Sequence, residues 1–297
     1  MIRLAHFSDI HHTSTLADWR AGDWFSKRLT SWINLRVLGR AQKFACADDI
    51  VARLMDDLQS RKVGHVVFSG DATALGFESE MRRAAELLRV GSVSIAGMAV
   101  PGNHDYCTRA AEASGAFERH FAPWQQGRRI GAHRYPFAQQ VGPACLIGVN
   151  TAVGNRWPWD ARGLVGSAQL ERLRQLLSEL PDGLRILVVH YPVRLANGRR
   201  EPWHHGLRDV DALVAIAKEG GVKLWLHGHR HTPYVLHPSE AIPFPVICAG
   251  SSTQRGIWSH GEYALGGDSL RGVRRVYDPA SRSFRDAEEF TLKLGRP

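Results

Sequence analysis

An α/β layered fold, as one domain over residues 1–297, is what this sequence predicts. Three observations predict it. Short apolar runs of strand length alternate with stretches whose apolar residues follow the helical period. Near the end such runs follow one another with no helix between them, so a β extension is added at about 245–297. A composition of 44% hydrophobic and 23% charged residues, free of repeats and low-complexity tracts, belongs to a globular chain that buries ~75% of its unfolded surface.

Ile2-Arg3-Leu4-Ala5-His6-Phe7 reads as the first strand and runs into Ser8-Asp9-Ile10-His11. Asp9 and His11, two positions apart, fall on one side of an extended segment, as a metal requires of a strand end. Strand-to-helix links usually take about 2–6 residues, so residues 16–41 read as an insertion. It interleaves Trp19, Trp24, Phe25, Leu29, Trp32, Ile33, Val37 and Leu38 with Arg20, Lys27, Arg28, Arg36 and Arg40. As a helix it puts Phe25, Leu29, Trp32, Ile33 and Val37 on one side and Lys27, Thr30, Ser31 and Asn34 on the other, with Arg36 inside the apolar arc. Such a helix either caps the core or meets an anionic membrane surface or lipid substrate.

Ala47, Ile50, Val51, Leu54 and Leu58 give a helix within 44–62, followed by a buried strand, Val63–Phe68, that ends on Ser69-Gly70-Asp71. Glu78–Val90 is the next helix. Gly97-Met98-Ala99-Val100 ends another strand, and Pro101-Gly102 turns the chain so that Asn103 and His104 stand at the strand end. Arg109–Phe121 reads as a third helix and Ala144–Val149 as a strand. After a Gly- and Trp-rich loop holding Trp157 and Trp159, Ser167 caps a helix with Leu170, Leu173, Leu176 and Leu177 on its buried side. Arg185–Val189 is a strand ending on His190. A helix over Asp209–Glu219, stopped by Gly220-Gly221, precedes the strand Val222–Leu226, which delivers His227-Gly228-His229-Arg230-His231. Val246–Ala249, Gly272–Tyr277 and Phe284–Leu292 are the late strands.

Cys46, Cys107, Cys145 and Cys248 form no Cys-x-x-Cys pair, which excludes a zinc ribbon or disulfide framework and leaves them reduced and buried. The start shows no basic-then-apolar leader and no stretch reaches 18 apolar residues, so the cytoplasm is expected, including the inner face of a membrane. A formal charge of +9 and a pI near 9.8 favour anionic partners: phosphorylated metabolites, nucleic acid or an anionic membrane surface.

Strand ends therefore supply Asp9 and His11, Asp71, Asn103 and His104, His190, and His229 with His231. This mix of carboxylate, imidazole and amide oxygen suits Mn, Fe or Zn rather than calcium or an iron–sulfur cluster. Two ions need a shared ligand, and Asp71, with two oxygens and a central place in the order, is the candidate bridge.

In these motifs, Asp9-x-His11, Gly70-Asp71, Gly102-Asn103-His104-Asp105, His190 and Gly228-His229-x-His231, the sequence resembles the calcineurin-like metallophosphoesterase superfamily. The resemblance implies a β-sandwich of mixed sheets flanked by helices, with a dinuclear metal site at one sheet edge. It implies that Asp9, His11 and His231 hold one divalent ion, Asn103, His190 and His229 the other, and Asp71 both. His104 is then the acid or transition-state stabiliser, with Asp105 helping to orient it. A hydroxide bridging two ions ~3.5–4 Å apart would attack phosphorus in line. Ala72-Thr73-Ala74 after Asp71 lacks the Asp-Arg-Gly of serine/threonine protein phosphatases, and Ala74 stands where purple acid phosphatases place a tyrosine ligand.

The expected activity is hydrolysis of a phosphodiester or pyrophosphate in a small or amphiphilic substrate, lipid-linked or nucleotide. Cyclic-nucleotide phosphodiesterase, UDP-diacylglucosamine-type hydrolase and nuclease are the alternatives, followed by a noncatalytic metal-binding scaffold. Arg194, Arg199 and Arg200, in the loop that begins on His190, are the expected contacts to the substrate phosphate or headgroup.

Overall fold

The structure, a computed structural model, describes residues 2–295 apart from 14–15, 37–39, 93–94 and 158. In its first half are β1 (Ile2–Phe7), α1 (Lys27–Arg36), α2 (Arg40–Lys43), α3 (Ala47–Ser60), β2 (His65–Phe68), α4 (Glu78–Leu87), β3 (Ala96–Ala99), α5 (Arg109–Ser114), α6 (Ala116–His120), β4 (Arg128–Arg129), β5 (Phe137–Val141) and β6 (Ala144–Gly148). The second half holds α7 (Ser167–Glu179), β7 (Leu184–Val188), α8 (Val210–Glu219), β8 (Val222–His227), β9 (Tyr234–Leu236), β10 (Val246–Cys248), β11 (Ser259–Gly266), β12 (Ser269–Asp278) and β13 (Ser283–Lys293).

The strands form two mixed sheets, ordered β13-β12-β11-β1-β2-β3 and β4-β5-β6-β7-β8-β10-β9. The parallel block β1-β2-β3 continues into antiparallel strands on its β1 side only, β3 being the sheet edge, whereas β6-β7-β8-β10 has antiparallel strands on both sides. Because both faces of the parallel strands are covered, their buried positions are mostly apolar, with His6, His65 and His227 the polar exceptions. Leu4, Val67 and Met98 meet Leu146, Ile186, Leu224 and Leu226 between the sheets. On the outer faces Val66 and Phe68 pack against Leu54, Met81 and Phe117, while Ile147, Leu187 and Trp225 pack against Leu173, Leu176 and Leu213. Fully burying each such side chain stabilises the fold by about 1.5–3 kcal/mol. The result is a sandwich between two helical layers.

Several local expectations change. Gly115, at φ 62°, splits the expected third helix into α5 and α6. Ser167 is the first helical residue of α7, with Gly166 at the cap position and no side-chain cap bond. Cys46 is exposed, whereas the other three cysteines are buried as expected. The strands after residue 245 add to the two sheets: β10 joins the second, and β11 pairs directly with β1 in the first. β4, β5, β9 and β11 had no counterpart in the apolar pattern.

The late strands are tied to α3 through Asp57, which accepts two bonds of 2.8 Å from Arg275 on β12 and one of 3.1 Å from His260 on β11. Burial alone would raise the Asp57 carboxyl, but His260 and Arg275 hold it below the usual range. Its contribution is therefore fully present above the unfolded carboxyl's value, about 3.9, and fades as the pH falls through the lower folded value. Asp57→Ala is expected to cost about 2 kcal/mol at pH 7, the loss of charged hydrogen bonds to a guanidinium that keeps Asp286. Denaturant melts at pH 7 and pH 3 check it, with the deficit shrinking at the lower pH.

Candidate metal centre

The carboxyl ends of β1, β2 and β3 in one sheet and of β7 and β8 in the other open onto one edge, and every expected ligand follows one of them. The chain turns sharply there. Asp9, His11, Asp71, His229 and His231 all have positive φ, between 46° and 70°, and make up five of the nine such non-glycine residues described. Each conformation costs about 1–3 kcal/mol and persists only where the surroundings impose it. Two glycines permit the close approach this needs. A Cβ on Gly102 would lie 2.7 Å from the Asp71 carboxylate carbon, and one on Gly228 would lie 2.6 Å from Asp9 Oδ2.

Two groups of donors result. In the first, His11 Nε2 and His231 Nε2 are 3.0 Å apart, and Asp9 Oδ1 lies 3.7 and 3.3 Å from them. The second brings Asn103 Oδ1 within 3.1 Å of His190 Nε2 and 2.8 Å of His229 Nδ1. Asp71 Oδ2 stands between the groups, 3.7 Å from His11 Nε2 and 3.4 Å from His190 Nε2. Tetrahedral zinc with bonds of 2.0–2.1 Å sets neighbouring donors about 3.3 Å apart, so these spacings could accommodate a cation. Asp9 Oδ1 is buried without a hydrogen-bond partner, a costly state that a divalent cation would relieve. The residues present therefore fit two divalent ions.

Outer partners aim the rings. Nδ1 of His11 faces the Thr73 carbonyl at 3.3 Å, that of His190 the Ser69 carbonyl at 2.8 Å, and that of His231 Gln254 Oε1 at 2.6 Å. Each bond turns the Nε2 lone pair inward. His229 is reversed, presenting Nδ1 with its Nε2 3.8 Å from Glu201 Oε1. Gln254 and Glu201 belong to no motif, so only the fold reveals them. Burial raises the carboxyls of Asp9 and Asp71, but His11 and His231 around the first and His190 around the second hold both well below the usual range. Both are ionised at neutral pH.

His104 joins this edge differently. Its backbone N–H donates to Asp71 Oδ1 at 2.8 Å, its ring meets His11 edge-on at 4.7 Å, and its Nδ1 is 2.7 Å from the Ala74 carbonyl. With Asp71 and His11 it also forms a third group spaced for a metal. Asp105 does not reach that ring. Its buried carboxylate accepts from the backbone N–H groups of Asp71, Thr73 and Gly102 at 2.8–3.0 Å, so it fixes the two turns rather than the imidazole. Burial and the Asp71 charge push Asp105 up to about 7.

The family model described as calcineurin-like phosphoesterase matches residues 2–233, which span all of these candidate ligands. The chain belongs to the calcineurin-like phosphoesterase family. As such it is a phosphoester hydrolase, and the family implies a dinuclear divalent-metal site. No curated protein matches the phosphoesterase in sequence. Among solved structures, a dimetal phosphatase from Danio rerio is similar with a TM-score of 0.67 at 13% identity, over 99% of each chain. A purple acid phosphatase from yellow lupin (Lupinus luteus) seeds follows with a TM-score of 0.61 at 13% identity, over 98% of this chain and 53% of that one. GAP50, the anchor in the inner membrane complex of Plasmodium, reaches 0.56 at 12% identity over 99% and 89%. At these identities the likeness establishes the fold.

The phosphoesterase cleft, about 430 Å³, is lined by Asp71, Asn103, His104, His229 and His231, and opposite them by Lys27, Ser31 and Asn34 of α1. The insertion thus turns its polar side to the metal centre. Trp19 and Trp32 pack against Leu35, Leu75 and Phe77, while Phe25 (93% exposed), Trp24 and Ile33 face solvent. Val37 and Leu38 lie outside the described residues. The greasy wall beside the metals that a lipid-binding helix would provide is therefore absent from that side of α1. Arg194, Arg199 and Arg200 do not line the cleft either: Arg194 donates to the Val193 carbonyl, Arg199 is exposed, and Arg200 pairs with Asp211 at 3.0 Å. Arg230 lines it instead, bonded to Glu201 at 2.8 Å.

Proposed function

We propose that Asp9, His11 and His231 hold one divalent ion (Mn, Fe or Zn), Asn103, His190 and His229 the other, and Asp71 both, and that this centre hydrolyses phosphodiester or pyrophosphate bonds in a small or amphiphilic substrate. The observation that carries the reading is the place of Asp71 Oδ2 between two donor groups drawn from both sheets. When bound, the ions supply Lewis acidity toward the phosphoryl oxygens and a nucleophilic oxygen at neutral pH. The chain does the rest. Asp71 Oδ1, by accepting the His104 N–H, sets that residue beside the bridging carboxylate. With Nδ1 held by Ala74, His104 keeps Nε2 as its working nitrogen, which holds or passes a proton at the leaving oxygen.

Support for an amphiphilic substrate comes from the rim. Trp157 and Trp159 stack at 5.2 Å with half or more of each exposed, and Trp159 lines the cleft. Flat exposed rings next to a polar centre suit a ligand with an anionic head and a flat or apolar tail. A Mn-supplemented screen of monoesters, diesters, cyclic nucleotides, UDP-linked lipids and single-stranded DNA tests the reading. Diesters or pyrophosphates should turn over fastest; a protein that cleaves monoesters alone sinks it.

No helix among the described residues is long and apolar enough to cross a membrane. If the protein works at the inner face of one, the exposed Trp24, Phe25 and Ile33 are the contact. Wild type should then co-sediment with anionic vesicles and Phe25→Ser should remain in the supernatant, still folded because Phe25 is outside the core. Wild type that ignores vesicles removes this location.

A further inference from the structure

We propose that Lys27 is the anion-binding residue of the cleft, taking a phosphate oxygen that the two ions leave free, and that the substrate is a pyrophosphate diester rather than a singly charged diester. This rests on the hydrolase reading above.

Lys27, Ser31 and Asn34 recur at helical spacing, so one side of α1 faces the ligands. Lys27 is only 8% exposed, and its ammonium donates to the Asp160 carbonyl at 2.7 Å. No carboxylate among the described residues lies within ion-pair distance of it, in contrast to Arg230, which has Glu201. An ammonium has three donors, and a buried one without a counter-charge is unfavourable. The helix cannot relieve this by swinging out. Arg28 donates to the carbonyls of Leu75 (3.1 Å) and Gly76 (2.8 Å) and lies over Phe77 at 4.1 Å, pinning α1 to the loop that follows Asp71.

Charge then selects the ligand. Two divalent ions against Asp9 and Asp71, with Lys27 added and Arg230 cancelled by Glu201, leave three positive charges. A hydroxide nucleophile cancels one and a singly charged diester a second. Of the two diester classes, it is the doubly charged pyrophosphate diester that cancels all three.

The test compares Lys27→Met with wild type, both Mn-loaded, on UDP-glucose and on bis(p-nitrophenyl) phosphate, alongside calorimetric binding of inorganic pyrophosphate and thermal melts. Loss of one charged hydrogen bond predicts ~10–100-fold weaker pyrophosphate binding and a similar rise in KM for UDP-glucose, against a change of about threefold or less on the diester. The melting temperature should rise by about 2–4 °C, since a buried charge is removed. A fall in melting temperature with unchanged pyrophosphate binding would mean that Lys27 merely clamps Asp160, and the proposal fails. Equal losses on both esters also overturn it. Wild type that hydrolyses neither ester, yet binds pyrophosphate more tightly than the variant, sinks the hydrolase reading and upholds Lys27. Lys27→Gln replaces the methionine variant if circular dichroism shows that variant unfolded.

Discussion

Asp71→Asn should empty both metal positions and lower kcat by ~10³-fold or more, the largest effect of any single ligand change. One oxygen of this carboxylate lies between His11 and His190, and the other accepts the His104 N–H. The amide keeps the shape, removes the charge, and sets an NH₂ group against either the imidazoles or the His104 N–H. Metal per chain, measured by elemental analysis next to the rate, is the check. A variant that retains two ions and most of its activity would show that Asp71 bridges nothing.

His104→Ala should give the opposite pattern, with metals retained and kcat reduced ~10²–10⁴-fold. Alanine preserves the backbone N–H to Asp71 and deletes only the ring. The loss should be smaller for p-nitrophenol esters, whose leaving group needs no proton. Equal losses on good and poor leaving groups would argue for a purely electrostatic role. Loss of metal would assign His104 to the third donor group, with His11 and Asp71.

The strand ends that carry the candidate ligands were legible because β1, β2, β3, β7 and β8 are covered on both faces. Their sequences are predominantly apolar, although Arg3, Arg185 and Lys223 interrupt them, and a polar residue just beyond one still stands out. β11 was not legible for the converse reason. It buries His260 and Glu262, whose partners Asp57 and Arg61 lie on or just after α3, so polar residues that read as a loop are core. The three arginines after His190 are near it only in sequence: a turn closed by the Leu195 N–H on the Arg199 carbonyl takes them elsewhere. Lys27 illustrates a further limit. Periodicity tells which residues share a side of a helix; it does not tell what that side faces.

Because the proposed ligands come from both sheets, the two would act as the jaws of a vice whose setting is the layer of side chains between them. Asp9, His11, Asp71 and Asn103 ride on one jaw, and His190, His229 and His231 on the other. Donor atoms 3–4 Å apart leave little tolerance for sliding, so ion affinity becomes a gauge of how Leu4 and Val67 seat against Leu146 and Ile186. A slack interior there would announce itself as metal leakage before any loss of fold. Loaded ions, in return, would clamp the sheets together.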